Sequence, residues 1–368
     1  MTTPRLREEL LRIGADAPVA EVPADTWQRA RAGRRRNLAG GAVAAVAAVA
    51  LVAGLAVGVA GEDRTAPPVT DPGSPGVPDR IEAVPSGVSQ REDDLDVGLA
   101  AAAYLTDDGV PVVIGATDGR YHLLDLPGAT GTALALSRDG SLLAYATTAG
   151  LRIVDLTTGE LRSDVDTSLI AAGTDVQQLD FATDADLVVW AGADRTWSRA
   201  GRAVVGTDDV SPGGELRDPD AVWAATELGG FVGVGTGRAW FHDGETDWQR
   251  GIEASGTPVA AHAGGHGVLD LRKDGDRYRL FQHDATTDVE LQLPVESSAD
   301  LEVVGWLRDA RMVVVGDEGH LVVVRSGDDA AVWDVGEVDD GVEDLTVATD
   351  FMTDDDQLTV HRPEPDWD

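Results

Sequence analysis

Apolar and polar positions alternate in short runs through residues 132–160, TALALSRDGSLLAYATTAGLRIVDLTTGE. Leu134 and Leu136 alternate with small residues, Ser137-Arg138-Asp139-Gly140 supplies turn chemistry, and an apolar run from Leu142 to Ala146 follows at strand length. Asp139 can hydrogen-bond its own backbone, and Gly140 can take a positive φ without a Cβ clash. The stretch therefore predicts a β-hairpin. A third strand, Leu151 to Leu156, ends in the turn Thr157-Thr158-Gly159.

Weaker echoes of this unit fill most of the chain. Acidic turns between two apolar runs recur at Asp107, Asp139, Asp184, Asp309 and Asp354, with gaps of 32, 45, 125 and 45 residues. Two degenerate copies, Glu227-Leu228-Gly229-Gly230 and Gly264-Gly265-His266-Gly267, fall inside the long gap. Seven turns over 247 residues give a mean interval of about 41, the period of a four-stranded propeller blade. Third-strand candidates follow at Tyr121 to Leu126, Leu151 to Leu156, Arg238 to Phe241, Tyr278 to Phe281 and Leu321 to Arg325.

The run Ser137-Arg138-Asp139-Gly140-Ser141-Leu142-Leu143-Ala144-Tyr145, with Ile153-Val154-Asp155-Leu156 and Thr158-Gly159-Glu160 after it, resembles a blade of a TolB-type or WD-repeat β-propeller. Arg138 stands where that motif usually has proline. Trp333-Asp334 matches the dipeptide that names the WD family. The resemblance is strongest in this one blade. It implies an all-β domain over residues 80–368, a propeller of seven four-stranded blades. The last blade is expected to combine Leu345 to Ala348 and Gln357 to His361 with N-terminal strands at Arg80 to Val84 and Asp94 to Val97. Such a mixed blade would remove open sheet edges.

Charge divides the chain. The whole sequence carries 29 Lys and Arg against 65 Asp and Glu, a net of −36. Residues 1–37 instead hold eight arginines against five acids. Between these regions Leu38 to Ala60 runs 23 residues without a charge, about 34 Å as a helix and enough to cross a bilayer core of about 30 Å. Arg31 and Arg34 to Arg36 precede this span and Glu62 and Asp63 follow it, so the N-terminus is expected in the cytoplasm and the acidic bulk outside the cell. Gly58-Val59-Ala60 would also suit a cleaved signal peptide, but the apolar run is longer than such signals carry. The expected layout is a cytoplasmic tail over 1–37, a transmembrane helix over 38–60, a proline-rich linker over 61–79 and the propeller. The bilayer is then one partner, held through Leu38 to Ala60. This arrangement resembles actinobacterial envelope proteins.

Recognisable chemistry is sparse. There is no cysteine, which excludes disulfides and thiolate metal sites. His262 and His266 have a helical metal spacing, but Ala263-Gly264-Gly265 between them breaks a helix. Gly233-Val234-Gly235-Thr236-Gly237 leads into a strand and not into the helix that a phosphate site needs, so it reads as a hairpin turn. No serine sits in a Gly-x-Ser-x-Gly elbow. The acidic runs Asp208-Asp209, Asp328-Asp329, Asp339-Asp340 and Asp354 to Asp356 suit solvated turns or, alternatively, calcium. No catalytic, cofactor-binding or metal residue is assigned and no cofactor is expected. The acidic charge opposes binding to nucleic acid and permits a cationic partner. The tryptophans are expected mainly between blades, with one or two at a channel mouth, where an unidentified protein or carbohydrate ligand would bind. The expected function is a binding or scaffolding module in the cell envelope. The alternatives are an exported hydrolase or lyase with acidic residues in its central channel, and an envelope sensor signalling through its cytoplasmic tail.

Overall fold

The computed structural model describes residues 75–83, 95–166, 176–182, 185–193, 197–207, 209–226, 230–242, 246–264, 267–294, 301–307, 311–316, 319–327, 330–354 and 358–361. The expected tail, membrane helix and most of the linker lie outside these residues. Among the described residues the strands form six four-stranded antiparallel sheets, one of which gains a fifth, parallel strand.

Five of the sheets are consecutive in the chain, and their strands run outward in sequence order. They are Ala129–Leu136 to Leu161–Asp166, Gln178–Phe181 to Val210–Leu216, Val222–Ala225 to Asp247–Gly251, Thr257–Gly264 to Asp288–Leu291, and Glu302–Trp306 to Ala331–Val338. The remaining blade, first in the ring, takes Ala100–Thr106, Pro111–Gly115 and Tyr121–Leu123 from one end of the chain. Its innermost strand, Val342–Val347, comes from the other end. The six innermost strands touch one another in cyclic order. The domain is thus a closed β-propeller.

Second strands such as Leu142–Thr147, Leu187–Ala193 and Met312–Val315 are buried almost throughout, because a neighbouring blade covers each face. Outer strands such as Leu161–Asp166 expose most of their residues. Separate apolar clusters fill the spaces between blades, and the largest spans both sides of the first blade. Trp190 is buried against Gly201, where an added Cβ would lie 2.4 Å from the indole. Trp333 and Asp334 lie in the fourth strand of the sixth blade, Ala331–Val338, with the guanidinium groups of Arg311 and Arg325 5.5 and 4.9 Å from the Trp333 ring.

The blade count is six, not the seven expected. Asp107 lies in the turn between the second and third strands of the first blade, whereas Asp139 marks a first-to-second turn. The Asp354 turn belongs to a terminal hairpin, Met352–Asp354 with Leu358–Val360. Phe351, Met352, Leu358 and Val360 of this segment join the apolar cluster around the first blade and add no blade. The mixed blade exists, but its parts differ from those expected. Val342–Val347 completes the first blade, while Arg80–Ile81 adds outside the sixth, pairing Arg80 with Glu337 and Ile81 with Val338.

Gly140 and Gly206 both have positive φ, +74° and +78°. A Cβ on Gly140 would lie 2.0 Å from the Ala100 carbonyl oxygen in the next blade, whereas one on Gly206 meets nothing within 4 Å. Gly206→Ala is expected to cost about 1 kcal/mol from backbone strain, roughly 2–4 °C in midpoint. Gly140→Ala should cost at least about twice as much, because backbone must also move. Thermal unfolding of the two variants checks this.

Candidate functional site

Each innermost strand pairs with its own sheet on one side only. Its other edge presents backbone N–H groups that need partners. Side chains of adjacent blades supply some of them. Asp344 Oδ2 accepts from the Leu134 N–H at 2.6 Å and Thr346 Oγ1 from the Leu136 N–H at 3.4 Å. Two junctions round the ring from there, Gln178 Oε1 accepts from the Trp223 N–H at 3.0 Å and Asp180 Oδ2 from the Ala225 N–H at 2.7 Å. Gln178 and Asp180, two apart in one strand, share a face, whereas Asp344 is turned toward Leu134 from a bulge in its strand, with φ +49°.

The ring encloses a cavity of about 350 Å³ lined by all six innermost strands. Because those strands run the same way round the ring, their ends define two mouths with different chemistry. Glu302, Glu343 and Asp344 stand near the strand starts. Toward the strand ends are His262, Trp306, Arg138 and Thr349. His262 and Trp306 stack with ring centroids 4.8 Å apart and planes 10° from parallel. Thr349 Oγ1 donates to the Trp306 carbonyl at 3.1 Å and accepts from Arg138 Nε at 3.1 Å. Arg138 also lies 3.6 Å from the Asp350 carboxylate.

This enclosure shifts the acid–base chemistry. Burial pushes the Asp180 carboxyl up to about 7, against the opposing pull of the Ala225 N–H and the Arg138 charge. Asp344 rises to about 6 because protein crowds it and Glu343 repels it, although its Leu134 hydrogen bond works the other way. Glu302 is raised by its surroundings and by Asp344 and Glu343. His262 is pushed down to about 4 by burial and, secondarily, by Arg138, and so is neutral at physiological pH. Among the described residues neither nitrogen of His262 has a hydrogen-bond partner.

A second polar cluster lies inside the fifth blade. Arg272 is fully buried and donates to the carbonyls of Gly235 at 2.7 Å and Thr236 at 3.1 Å in the fourth blade. It also donates to the carbonyls of Ala254 and Gly256 and to Asp270. His283 bridges Asp270 at 2.9 Å and Asp288 at 2.7 Å, and Arg250 caps Asp288. Burial alone would raise Asp288, but the hydrogen bonds from Arg250 and His283 outweigh it and hold the carboxyl down at about 2. With Asp270, Arg272 and His283 fully buried, this network fastens two blades together and offers no surface to a ligand.

Of the residues singled out in the sequence, His262 lies in the strand Thr257–Gly264 and faces the channel; His266 lies outside the described residues. The glycine-rich stretch is the expected hairpin turn, with Gly235 paired to Arg238. Asp339 pairs with Arg80. Among the described residues no three His, Asp or Glu side chains come together as a metal site would require. Arg138, Asp180 and Asp344 were missed because each belongs to a different repeat. An acid inside a short apolar strand, as in Gln178–Phe181, was the available signal.

No protein-family model and no curated protein sequence matches this chain. Solved structures to which it is similar include TolB from Acinetobacter baumannii, 13% identical over 68% of this chain and 66% of that one, with a TM-score of 0.40. An oligogalacturonate lyase in complex with manganese is 13% identical over 65% and 78%, with a TM-score of 0.44. A prolyl endopeptidase is 15% identical over 64% of this chain, with a TM-score of 0.38; the chain spans 42% of that protein. The fold assignment rests on the six sheets.

Asp180→Asn keeps an acceptor for the Ala225 N–H and removes the titration. An ordinary aspartate ionises near 3.8 and the folded Asp180 near 7, so between these values the folded state holds the extra proton. Wild-type stability should then fall as pH rises through that window, by at most about 1.4 kcal/mol per pH unit, and level off above it. Urea unfolding at pH 5 to 8 should show Asp180→Asn gaining on wild type up to about pH 7. A constant difference would contradict the assignment.

Proposed function

We propose that this chain is a membrane-tethered propeller that stands outside the cell and binds a ligand in its central channel, as a binding or scaffolding module of the envelope. The tether and orientation are inferred from the uncharged span Leu38 to Ala60 and the arginines before it. The observation that carries the binding reading is His262, a neutral side chain facing the cavity with no hydrogen-bond partner among the described residues. Much of the other polar lining already has structural work: Gln178, Asp180, Asp344 and Thr346 brace neighbouring blades.

One observation favours a second reading, an exported hydrolase or lyase. Asp180 and His262 line the same cavity, with ionisation shifted in opposite directions.

The full chain in detergent, incubated with solubilised envelope material, tests both readings. Val259 lines the cavity and is 39% exposed, so Val259→Trp should fill the channel with little cost to folding. Wild type should retain a ligand that Val259→Trp loses about tenfold or more, at an unchanged unfolding midpoint. Equal retention by both would place binding elsewhere. A ligand recovered with unaltered mass supports the binding module, and a chemically altered one supports the enzyme.

A further inference from the structure

The polar cluster between the fourth and fifth blades is built from both sides. Arg272 of the fifth blade reaches into the fourth, to the carbonyls of Gly235 and Thr236. Arg250 of the fourth blade reaches back into the fifth, where it donates to the carbonyls of Asp284 at 2.8 Å and Thr287 at 2.6 Å and pairs with Asp288. Asp270, His283 and Asp288 join the two arginines into one line that starts and ends in the fourth blade. His283 is its middle link.

The partners of His283 fix its protons. Asp270 Oδ2, 2.9 Å from Nε2, already accepts from Arg272 Nε at 2.5 Å, so it acts as a carboxylate oxygen and not as a hydroxyl. Asp288 Oδ1, 2.7 Å from Nδ1, accepts from Arg250 as well. Both ring nitrogens therefore face acceptors, and an imidazole donates from both only as the cation. The other oxygen of Asp270 is buried without a hydrogen-bond partner, so this carboxylate has no spare donor to turn to.

The rest of the surroundings offer His283 no alternative partner. Phe281 lies parallel to its ring at 6.1 Å, and the fourth blade contributes Phe241 and Trp248 to the apolar cluster around Phe281. Glu253 gives only its backbone N–H, to Asp288 at 3.3 Å. Asp218 bonds Thr236 and feels the charge of Arg272, and Glu290 pairs with Arg279 on the outer surface. A buried network of charges adds little stability over an apolar filling, but removing one of its partners costs a great deal. What it adds here is dependence on a proton.

We propose that His283 is a proton-dependent bolt between the fourth and fifth blades, closed while its ring carries both protons and opened when a rise in pH removes one. A neutral His283 keeps one N–H, and its other nitrogen then sets a lone pair against a carboxylate oxygen in a buried site. The Asp270 side chain is 0% exposed and that of Asp288 20% exposed, so the conflict is relieved at Asp288. There the start of the strand Asp288–Leu291 and the turn before it draw away from His283 and admit water. Because the closed junction holds the proton, its stability is present at low pH and lost as pH rises.

Hydrogen exchange on the full chain in detergent, followed by mass spectrometry from about pH 6 to pH 9 and corrected for the intrinsic pH dependence of exchange, tests this. In wild type, protection over residues 284–291 should fall about tenfold or more across that range, as expected for one lost charge-assisted hydrogen bond. Protection over residues 161–166 of the second blade, which contain no histidine, should not change. His283→Gln cannot carry the charge and should abolish the pH step. Asp288→Asn should abolish it too, because a neutral ring then satisfies the site.

His320 stands 3.5 Å from Asp334 in the sixth blade, and His320→Gln should leave the step intact. A wild-type response that is absent, or equal in both segments, would overturn the bolt. So would a step that survives in His283→Gln. Should His283→Gln fail to fold, Asp288→Asn decides by the same criterion: loss of the step supports the bolt and its persistence overturns it.

Discussion

The pairing of Val342–Val347 with Ala100–Thr106 is the contact on which the rest of the ring depends. It joins segments more than 200 residues apart, so its loop-closure entropy falls on one junction. In return the ring has no open junction, and the first blade gains the strand that turns Ala102, Tyr104, Val112 and Ile114 into core. Residues 76–82 fasten the same seam from outside. Gly76 donates to Ala116 and Val77 to His361, while Tyr104 and Tyr121 hydrogen-bond the backbone of residues 80–82. Arg80 and Asp339 complete the strap at 2.7 Å.

Closing the ring also creates the channel and fixes its chemistry. A strand that borders a central hole has one unpaired edge, and its N–H groups must be satisfied by side chains reaching from neighbouring blades. Asp344 and Asp180 do this at two junctions, and desolvation there raises the pKa of both carboxyls, disfavouring their charged form. The polar lining is therefore first a consequence of architecture. His262 stands apart because it stacks on Trp306 and braces no backbone group.

The local unit was legible in the sequence because its signals are local. Asp139 accepts from the Ser141 N–H at 3.1 Å, Gly140 takes φ +74°, and the strands on either side pair as the alternation implies. The blade number was not legible from turns alone, since the Asp107 turn joins different strands of its blade and the Asp354 turn joins a terminal hairpin. Turn chemistry reports that a chain reverses, not which pair of strands it joins. The channel residues were hidden for a related reason. Arg138, Asp180, His262 and Asp344 become neighbours only through the ring, and no spacing along the chain marks them as a set.

The most direct test is a cross-link at the closing seam. The chain has no cysteine, and Thr106 and Val342 are Cα partners in that pairing, both half-exposed. Thr106→Cys with Val342→Cys should form one intramolecular disulfide on mild oxidation, giving a compact species on a non-reducing gel with unchanged β content by circular dichroism. Failure to cross-link in the folded variant, or cross-linking only between molecules, would show that the ring is not closed by these strands and would contradict the account.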